Sequence, residues 1–600
     1  MSCKSLVFYI IIFIAGSLQY GIAQSPRFER QSLSQISYNR LQILGISDSI
    51  YTSSKGNLDR KNAAEFFNNI LQNESLSEKD KKDVLHCIAD NYEHKHQIVI
   101  FDETDKNKQN GIFRTQDELE FAGDSDGSID INSIDRQPIL TYFYQNKANF
   151  FDIKTPSFEL YLNPVFDFGF TEQPAYDPYV FQNTRGIELR AYIDKKVYVY
   201  TRLLENQRHF TDFVTDRISK FQAIPGQGSF KGFSSGVVDN LTGYDYFNTV
   251  AYIGFNPIKS ISVEFGHDNH FIGDGYRSLL LSDYASNYLY LKLDWKLWKF
   301  RYQNIFSELS PISIIQSPQY EILPRKYAAT HYLTFIPHHN FEVGVFETVV
   351  FGRENHFEFQ YLNPVIFYRS IEHSLNSSDN VILGLNVRWN VLKRFSLYGQ
   401  IVLDEFKLSE VQKASGWWAN KFGYQAGLKY INAFGIDHLD LQLESNVVRP
   451  YTYTHWQPLN EVSENSVASY SNYNQPLAHI LGASFDEKIL LIRYVPINKI
   501  TLTAKGMITK YGEDKDGLNY GNNILLNYNL RTSDYGNFVA QGVKNTIVSA
   551  GLTVSYEFLH NFCIDLYGNY RTRDRESVKS DHHAYGFRVR ANIAALDYDY

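Results

Sequence analysis

The 600-residue sequence has only three cysteines, Cys3, Cys87 and Cys563. Because they lie far apart, the sequence predicts neither a disulfide framework nor a cysteine-based metal site. An excess of one charge is also lacking, since 58 basic residues stand against 66 acidic ones for a net charge of −8. This balance gives no electrostatic basis for binding nucleic acid, so we expect no nucleic-acid partner.

Long hydrophobic runs are absent after the first 23 residues, which excludes a membrane protein built from apolar helices of about 20 residues. Hydrophobic residues make up 44% of the chain, and the mean hydropathy is −0.33. Aromatic side chains are abundant instead, with 44 Tyr, 43 Phe and 6 Trp. Because disordered chains are poor in aromatic residues, this composition indicates a large, aromatic-rich β protein.

The first 23 residues have the pattern of an export signal. Lys4 supplies the basic start, residues 6–18 form an apolar core, and Gly21-Ile22-Ala23 places small residues before Gln24. The apolar core is too short to span a membrane comfortably. We therefore expect export, with residues 1–23 removed as a signal peptide.

Residues 24–97 have the apolar spacing of helices. Ser75 and Glu78 stand at the spacing of a capping box. Short amphipathic helices cannot bury their apolar stripes alone, so they must pack together or onto something larger. We predict a small periplasmic helical region here, with residues 98–148 as an irregular linker containing short strands. The apolar positions are Leu33, Ile36, Leu41 and Leu44, then Ala63, Phe66, Phe67, Ile70 and Leu71, then Val84, Leu85, Ile88 and Tyr92.

From residue 149 to residue 600, apolar and polar residues alternate with the period of two typical of β-strands. A soluble sandwich also alternates, but many runs have the length that a tilted strand needs to cross a bilayer. At roughly 25 residues per strand and connection, this segment predicts an antiparallel, lipid-contacting outer-membrane barrel of about 16 to 18 strands. Clear apolar faces are Val381, Leu383, Leu385, Val387 and Trp389, then Phe562, Ile564, Leu566, Gly568 and Tyr570, then Tyr585, Phe587, Val589, Ala591 and Ile593.

Aromatic residues cluster near the ends of several alternating runs. We expect these clusters to form the aromatic girdles that transmembrane barrels place at the two membrane surfaces. The clusters are Tyr198 with Tyr200, Trp295 with Trp298 and Phe300, and Trp417 with Trp418.

The segment from Gly266 to Ala285 reads GHDNHFIGDGYRSLLLSDYA. Its Gly-rich turn and Ser-Leu-Leu-Leu-Ser run resemble the Wzi-type capsule assembly proteins, although Ile272-Gly273-Asp274-Gly275 stands where that family usually has Trp-Gly-Pro-Gly. The chain also resembles the RemB proteins of gliding Bacteroidetes, which belong to this broader group. Further matches are Tyr361-Leu362-Asn363-Pro364 with Arg369 and Glu372, Leu403-Asp404-Glu405, and Glu444 with residues 449–455.

This resemblance implies a lectin-like outer-membrane barrel that binds or anchors surface or capsular polysaccharide and, in the gliding branch, supports surface motility. Two alternatives stay open. Wide barrels with polar lumens commonly conduct, so a diffusion or uptake channel is one. The other is a structural subunit of a secretion or gliding machine that binds periplasmic partners through the helical region. Since no His-Glu-x-x-His or Walker-type motif is present, we expect no enzyme activity, cofactor or metal site.

Physical chemistry also points to the Gly-rich segment as a candidate site. Aromatic rings stack on sugars, carboxylates and amides bind hydroxyls, and Arg or Lys would bind an acidic capsule. Alternatively, the glycines fold this loop into the lumen as a plug, with its charges paired to the barrel wall. The candidate glycan-binding residues are Asp268, Asn269, His270, Asp274, Tyr276 and Arg277, with Gly266, Gly273 and Gly275 shaping the loop.

Two further polar groups are candidate glycan contacts. One cluster contains Arg353, Glu354 and His356. A basic run lies between the last two predicted strands, and we expect it in an extracellular loop, either solvated or in contact with an anionic sugar. The run consists of Arg571, Arg573, Arg575 and Lys579.

Overall fold

The computed structural model describes most of the chain after residue 24. The predicted signal peptide at 1–23 lies outside the described residues, as does nearly all of the predicted linker at 98–148. The described residues are 25–46, 59–71, 73–91, 93–94, 144, 148–174, 180–234, 242–316, 322–353, 357–364, 367–375, 377, 379–457, 466–596 and 598–600.

Six α-helices occur in the described residues, and none of them is long and apolar enough to cross a membrane. Ser32 caps the first helix and Asp59 caps the second, each by accepting a backbone N–H. The capping box of the third helix is Ser77 with Asp80, not the predicted pair of Ser75 and Glu78. The helices are α1 (Leu33–Ile43), α2 (Arg60–Ile70), α3 (Glu78–Asp90), α4 (Asp212–Phe221), α5 (Tyr368–Leu375) and α6 (Leu408–Gln412).

Eighteen of the strands form one closed antiparallel barrel, which confirms the predicted fold class. The barrel closes where β22 pairs with β2, from Phe166 opposite Ala591 to Glu172 opposite Tyr585. Strands β1 and β5 pair only at its margins, and β16 with β17 forms a separate hairpin. The strands are β1 (Phe151–Lys154), β2 (Phe158–Glu172), β3 (Val180–Ile193), β4 (Val197–Arg208), β5 (Lys231–Ser234), β6 (Thr242–Ile258), β7 (Ile261–Asp268), β8 (Tyr288–Leu297), β9 (Phe300–Leu309), β10 (Lys326–His338), β11 (Phe341–Phe351), β12 (Asn380–Val391), β13 (Phe395–Glu405), β14 (Lys421–Tyr430), β15 (Leu439–Val448), β16 (Ser471–Asn472), β17 (Gln475–Pro476), β18 (Phe485–Ile497), β19 (Ile500–Glu513), β20 (Val543–Leu559), β21 (Phe562–Arg575) and β22 (Val578–Ala591).

The two ends of the barrel differ in the length of their connections. At one end, here called the short-turn end, tight turns join strands at residues 194–196, 259–260, 339–340 and 560–561. At the other, the long-loop end, most connections are much longer and include α4, α5 and α6. Outer-membrane barrels place their short turns in the periplasm and their long loops outside the cell.

The wall has an apolar outer face and a polar inner face, as the alternation predicts. On β21, Ile564 and Leu566 are exposed on the outside, whereas Asp565 between them is 0% exposed. In the lumen, Asp565 forms ion pairs with Arg588 and Arg590 of the neighbouring strand β22. The apolar side chains therefore face lipid, and charged ones are retained inside.

The prediction that Tyr198 and Tyr200 belong to an aromatic girdle at the membrane surface is wrong. Tyr198 and Tyr200 are buried, and the Tyr198 hydroxyl donates a hydrogen bond of 2.7 Å to Glu264 in the lumen. Trp298 and Phe300 do lie exposed at the short-turn end. The period of two places Tyr198 and Tyr200 on the inner face, and this parity outweighs their position near a strand end.

One long connection folds back over the outside of the wall. The connection between β11 and β12 includes α5, and the Tyr368 ring packs 3.9 Å from the His331 ring on the outer face of β10. The Arg369 backbone N–H donates to Glu347 of β11 at 3.3 Å. The Tyr361-Leu362-Asn363-Pro364 motif belongs to this outer segment, which shields polar wall residues from lipid.

Helices α1, α2 and α3 pack together and against the short-turn end of the barrel. Their shared core is apolar, whereas their contacts with the wall are polar. Arg40 of α1 lies 3.4 Å from Asp440, Gln42 accepts a hydrogen bond of 3.0 Å from Arg388, and Lys79 of α3 donates to the Val495 carbonyl at 2.8 Å. The helical region therefore closes one end of the lumen.

Substitutions on the two faces of β20 test which face of the wall contacts lipid. Leu552 is 52% exposed on the outer face, and its neighbour Thr553 lines the lumen. We expect Leu552→Lys to lower the free energy of unfolding by about 2–4 kcal/mol, because a charge near the bilayer midplane is costly. Thr553→Lys should cost much less. Urea unfolding in lipid vesicles measures both, and equal losses would contradict this orientation.

Candidate functional site

The Gly-rich loop between β7 and β8 folds into the lumen rather than outward. Gly273 has φ +142°, and a Cβ there would lie 2.3 Å from Gln400 Nε2 of the wall. A Cβ on Gly275 would lie 2.6 Å from a carboxylate oxygen of Glu444. These two glycines let the loop backbone touch the wall. Gly266 does not shape the loop, because it lies within β7.

The charged groups of this loop are paired with the wall and with the last residues of the chain. Asp274 accepts a hydrogen bond of 3.1 Å from Asn386. The backbone N–H groups of Tyr276 and Arg277 donate to Glu444 at 2.6 and 3.0 Å. Arg277 also forms an ion pair of 2.9 Å with Asp599, which returns into the lumen after β22.

These pairings shift the ionisation of the loop groups. Burial would by itself lower the pKa of Arg277, but the facing carboxylates of Asp599 and Glu487 raise it above its ordinary value. Burial also opposes ionisation of Asp599, yet Arg277 and Lys505 hold its pKa below its ordinary value. Burial together with the charge of Asp599 raises the pKa of Tyr276 to about 12. The loop is thus held by a fully charged pair.

The start of the same segment is fastened to the region before α1. Arg27 lies 3.0 Å from Asp268, and Asn269 donates to the Asp283 carbonyl at 3.2 Å. His270 is buried, its Nδ1 lies 3.2 Å from the Tyr288 hydroxyl, and burial lowers its pKa well below the ordinary value. His270 is therefore neutral. All six predicted glycan-binding residues of this segment therefore have partners inside the barrel.

The Ser-Leu-Leu-Leu-Ser run forms the apolar centre of the lumen. Leu279 and Leu280 are fully buried, and their carbonyls accept hydrogen bonds of 2.8 Å from the hydroxyls of Tyr453 and Tyr470. The Tyr453 backbone N–H donates to Asp404 at 2.8 Å. Several separate motifs of the sequence thus meet at one plug inside the barrel.

Of the second predicted cluster, Arg353, Glu354 and His356, the structure describes only Arg353. Arg353 forms a two-pronged contact with Asp379 at 2.8 and 2.7 Å, and this hydrogen bonding raises the pKa of Arg353. Tyr361 donates to the same carboxylate at 2.7 Å. Glu354 and His356 lie outside the described residues. In the described part of this cluster, Arg353 stabilises the loop that leads onto the outer wall.

A chamber of about 510 Å³ remains in the lumen between the helices and the plug. Asp274 and Tyr276 line one side of it, while α1 and the short-turn half of the wall form the rest. Its lining is rich in cations, but the plug separates it from the long-loop end. The basic residues of the lining are Arg30, Arg40, Arg60, Arg190, Lys429, Arg493, Lys499, Lys505, Arg588 and Arg590.

A smaller cavity of about 120 Å³ lies at the long-loop end, and we call it the basic cleft. The predicted basic run lies on strands β21 and β22 rather than in a loop, and it contributes Arg571 and Arg573 to this cleft. Helix α4 supplies Asp216, Arg217 and Lys220 from the opposite side, and Glu513 of β19 also lines the cleft. The aromatic residues of the lining are Phe213, Phe221, Tyr511 and Tyr600.

The cations of the basic cleft differ in their partners. Arg573 is paired with Glu513 at 2.9 Å. Arg571 instead lies over the Phe213 ring at 4.6 Å and donates to the Tyr600 backbone oxygen at 3.3 Å. Arg217 lies over the Tyr600 ring at 4.6 Å and donates to the Tyr284 hydroxyl at 3.1 Å and to the Ile480 carbonyl at 2.5 Å. Within the described part of the chain, Arg217, Lys220 and Arg571 have no aspartate or glutamate oxygen within 4.0 Å. The sequence shows only the run on β21, because α4 is more than 350 residues away from it.

A closed antiparallel wall with an apolar exterior and a filled polar lumen defines an outer-membrane β-barrel protein. The family model of the capsule assembly protein Wzi matches residues 214–584, more than half of the chain. The chain therefore belongs to the Wzi capsule assembly family, and its location is the outer membrane.

Among solved structures, Wzi of Escherichia coli, described as a carbohydrate-binding β-barrel involved in group 1 capsule assembly, is 14% identical. The match covers 72% of this chain and 85% of that one, with a TM-score of 0.45. OprD of Pseudomonas aeruginosa is 7% identical over 72% and 94%, with a TM-score of 0.38. OccAB4 of Acinetobacter baumannii is 10% identical over 73% and 98%, also at 0.38. No curated protein matches the chain.

The Arg277–Asp599 pair supports a stability prediction. We expect Arg277→Gln to lower the free energy of unfolding by about 3 kcal/mol, because it removes a buried cation from beside Asp599 and Glu487, which keep only Lys505 and His479 as partners of opposite charge. Arg575→Gln, which breaks an exposed pair with Glu513, should cost less than about 1 kcal/mol. Denaturant unfolding compares the two variants. If Arg277→Gln left stability unchanged but abolished glycan binding, Arg277 would be a ligand contact instead.

Proposed function

We propose that this member of the Wzi family binds surface or capsular polysaccharide at the outer face of the barrel, and that the basic cleft is the contact site. The long-loop end faces the cell exterior in barrels of this kind. The cleft opens at that end, whereas the larger chamber lies behind the plug. A polymer outside the cell therefore reaches the cleft without displacing any element of the lumen.

The proposal is supported by a group of cations that outnumber the two acidic residues of the cleft, Asp216 and Glu513, and that have no described aspartate or glutamate oxygen within 4.0 Å. Arg217, Lys220 and Arg571 surround the cleft, and aromatic rings stand between them. Arginine binds a sugar carboxylate through paired N–H donors, and an aromatic ring stacks on the apolar face of a sugar. The chemistry fits an acidic polysaccharide better than a neutral one.

The Gly-rich loop has a supporting role in this proposal. Arg277 holds Asp599, and the adjacent Tyr600 forms one wall of the basic cleft. We therefore propose that Arg277, Asp274 and the other loop residues position the cleft from within the lumen. A direct glycan contact by Asp268, Asn269, His270 or Tyr276 would require the internal network to open.

Binding to acidic and neutral oligosaccharides of equal length tests the cleft. We expect the full-length protein in detergent to prefer the uronic-acid oligomer. Arg571→Gln and Lys220→Gln should each weaken that binding about tenfold, since one charge-assisted hydrogen bond contributes about 1.5 kcal/mol. Titration calorimetry measures the change.

The control is Lys579→Gln, which removes a charge from the same basic run but outside the cleft. Its affinity should match that of the unmodified protein. Equal affinity for acidic and neutral oligomers, or equal weakening by all three substitutions, would contradict a site at the basic cleft.

Two finer roles are also part of the proposal. We propose a role in gliding motility from the resemblance of sequence motifs to RemB proteins, and we propose that the helical region contacts periplasmic or gliding-machinery proteins. Binding without catalysis is proposed because the site is a charged aromatic cleft. The channel alternative is less favoured, because helices, loops and the last residues occupy the lumen.

Gene deletion separates the capsule role from the motility role. We expect the deletion strain to stain more weakly for surface polysaccharide, because the coat loses its attachment at the outer membrane. If the gliding proposal holds, colony spreading falls as well. A deletion strain with an unchanged coat would contradict the polysaccharide role, and unchanged spreading would contradict only the motility role.

A further inference from the structure

A cluster of histidines and carboxylates joins α3 to the barrel wall at the short-turn end. His86 and Asp90 lie one turn apart on α3, so they share a face of that helix. Glu557 lies two residues before the end of β20, and His560 lies in the turn that leads to β21. These four residues, here called the histidine cluster, come from two parts of the chain about 470 positions apart.

The donor atoms of the cluster converge. His86 Nε2 lies 2.7 Å from Glu557 Oε1, and His560 Nε2 lies 2.8 Å from Asp90 Oδ1. The two imidazole rings are 4.1 Å apart. Ligand atoms of His86, Glu557 and His560 all lie within 4.8 Å of one another. A tetrahedral Zn²⁺ with bonds of about 2.0–2.1 Å needs ligand atoms about 3.3 Å apart, so small side-chain shifts are sufficient.

Neighbouring groups already orient the carboxylates. Asn561 donates its side-chain N–H to Asp90 and its backbone N–H to Glu557, each at 2.8 Å. Ser34 of α1 donates to the other oxygen of Asp90 at 3.2 Å. Metal sites use such outer hydrogen bonds to fix the direction of their ligands.

Each imidazole also has a nitrogen without a hydrogen bond. In the described part of the chain, His86 Nδ1 and His560 Nδ1 are buried and make no hydrogen bond, and His86 Nδ1 lies 3.7 Å from Asp90 Oδ2. A buried polar atom left unpaired is costly, and two adjacent rings resist carrying a positive charge together. A divalent cation would neutralise the two carboxylates and leave both imidazoles neutral.

We propose that His86, His560, Glu557 and Asp90 bind one divalent transition-metal ion of the Zn²⁺ class. Two imidazoles with carboxylate oxygens are a donor set that suits Zn²⁺ and its borderline-soft neighbours, not Ca²⁺ or Mg²⁺. The ion fastens the helical region to the wall, because it takes ligands from both. It therefore stabilises the closed short-turn end whenever metal is present.

A second histidine contact at this interface serves as a comparison. His438, in the turn between β14 and β15, lies 3.5 Å from both Asp80 and Asp83 of α3. The Arg40 guanidinium already lies 3.2 Å from Asp80 and supplies the positive charge there. His438 is thus a buried histidine between α3 and the wall that lacks a second imidazole, and it provides a matched control.

The test uses the full-length protein in detergent, treated with EDTA and then equilibrated with Zn²⁺ or Co²⁺. We expect one metal ion per chain by elemental analysis, a visible Co²⁺ spectrum of tetrahedral type, and a higher Tm with metal. His86→Gln and His560→Gln should abolish all three signals, whereas His438→Gln should retain them. Heat-modifiable migration on gels shows that each barrel is folded.

Glu557→Gln is a milder variant, used if a histidine variant does not fold. It keeps the size of the side chain but removes one anionic ligand, so it should weaken metal binding at least tenfold. The proposal is overturned if the unmodified protein binds no stoichiometric metal at micromolar concentrations. It is also overturned if folded His86→Gln, His560→Gln and Glu557→Gln bind metal as the unmodified protein does.

Discussion

A hydrocarbon layer contains no water to satisfy an exposed backbone N–H or C=O, so a sheet that crosses it must close on itself. The pairing of β22 with β2 meets this requirement. Closure at eighteen strands then sets the next requirement, because wall side chains alone cannot fill so wide a lumen. The helices, the Gly-rich loop and the last residues of the chain all lie where this geometry leaves space.

The inner face of the wall determines how the space is filled. It carries buried carboxylates such as Glu264, Glu444 and Glu487, and each would be costly without donors. Arg27, the backbone of Tyr276 and Arg277, and His479 supply those donors. Because the donors come from particular segments, the charges specify which segment lies against which strand. The apolar Leu279–Leu281 centre fills volume between these polar contacts.

Sequence reasoning recovers the wall well, because a period of two is a local signal. It places Leu566 outside and Asp565 inside from neighbouring residues alone. The position of the Gly-rich loop, by contrast, does not follow from a local signal. Asp274 and Arg277 have the same chemistry whether their partner is a sugar or the wall. Their actual partners, Asn386 and Asp599, lie more than 100 positions away. Only a three-dimensional structure brings these partners together.

The same distance in sequence explains the basic cleft and the histidine cluster. Half of each comes from β20 or β21, and the other half comes from a helix near the start of the chain or before β5. A local motif contains only one half, so it has the composition of an ordinary solvated turn. In the folded barrel the two halves of each site meet, and the assembled site has a local imbalance of charge. Among the described residues, three cations of the cleft have no aspartate or glutamate oxygen within 4.0 Å, and in the cluster two carboxylates surround paired imidazoles. Such local imbalance is what an anionic polymer or a cation would compensate, and it separates the binding surfaces from the scaffold that holds them.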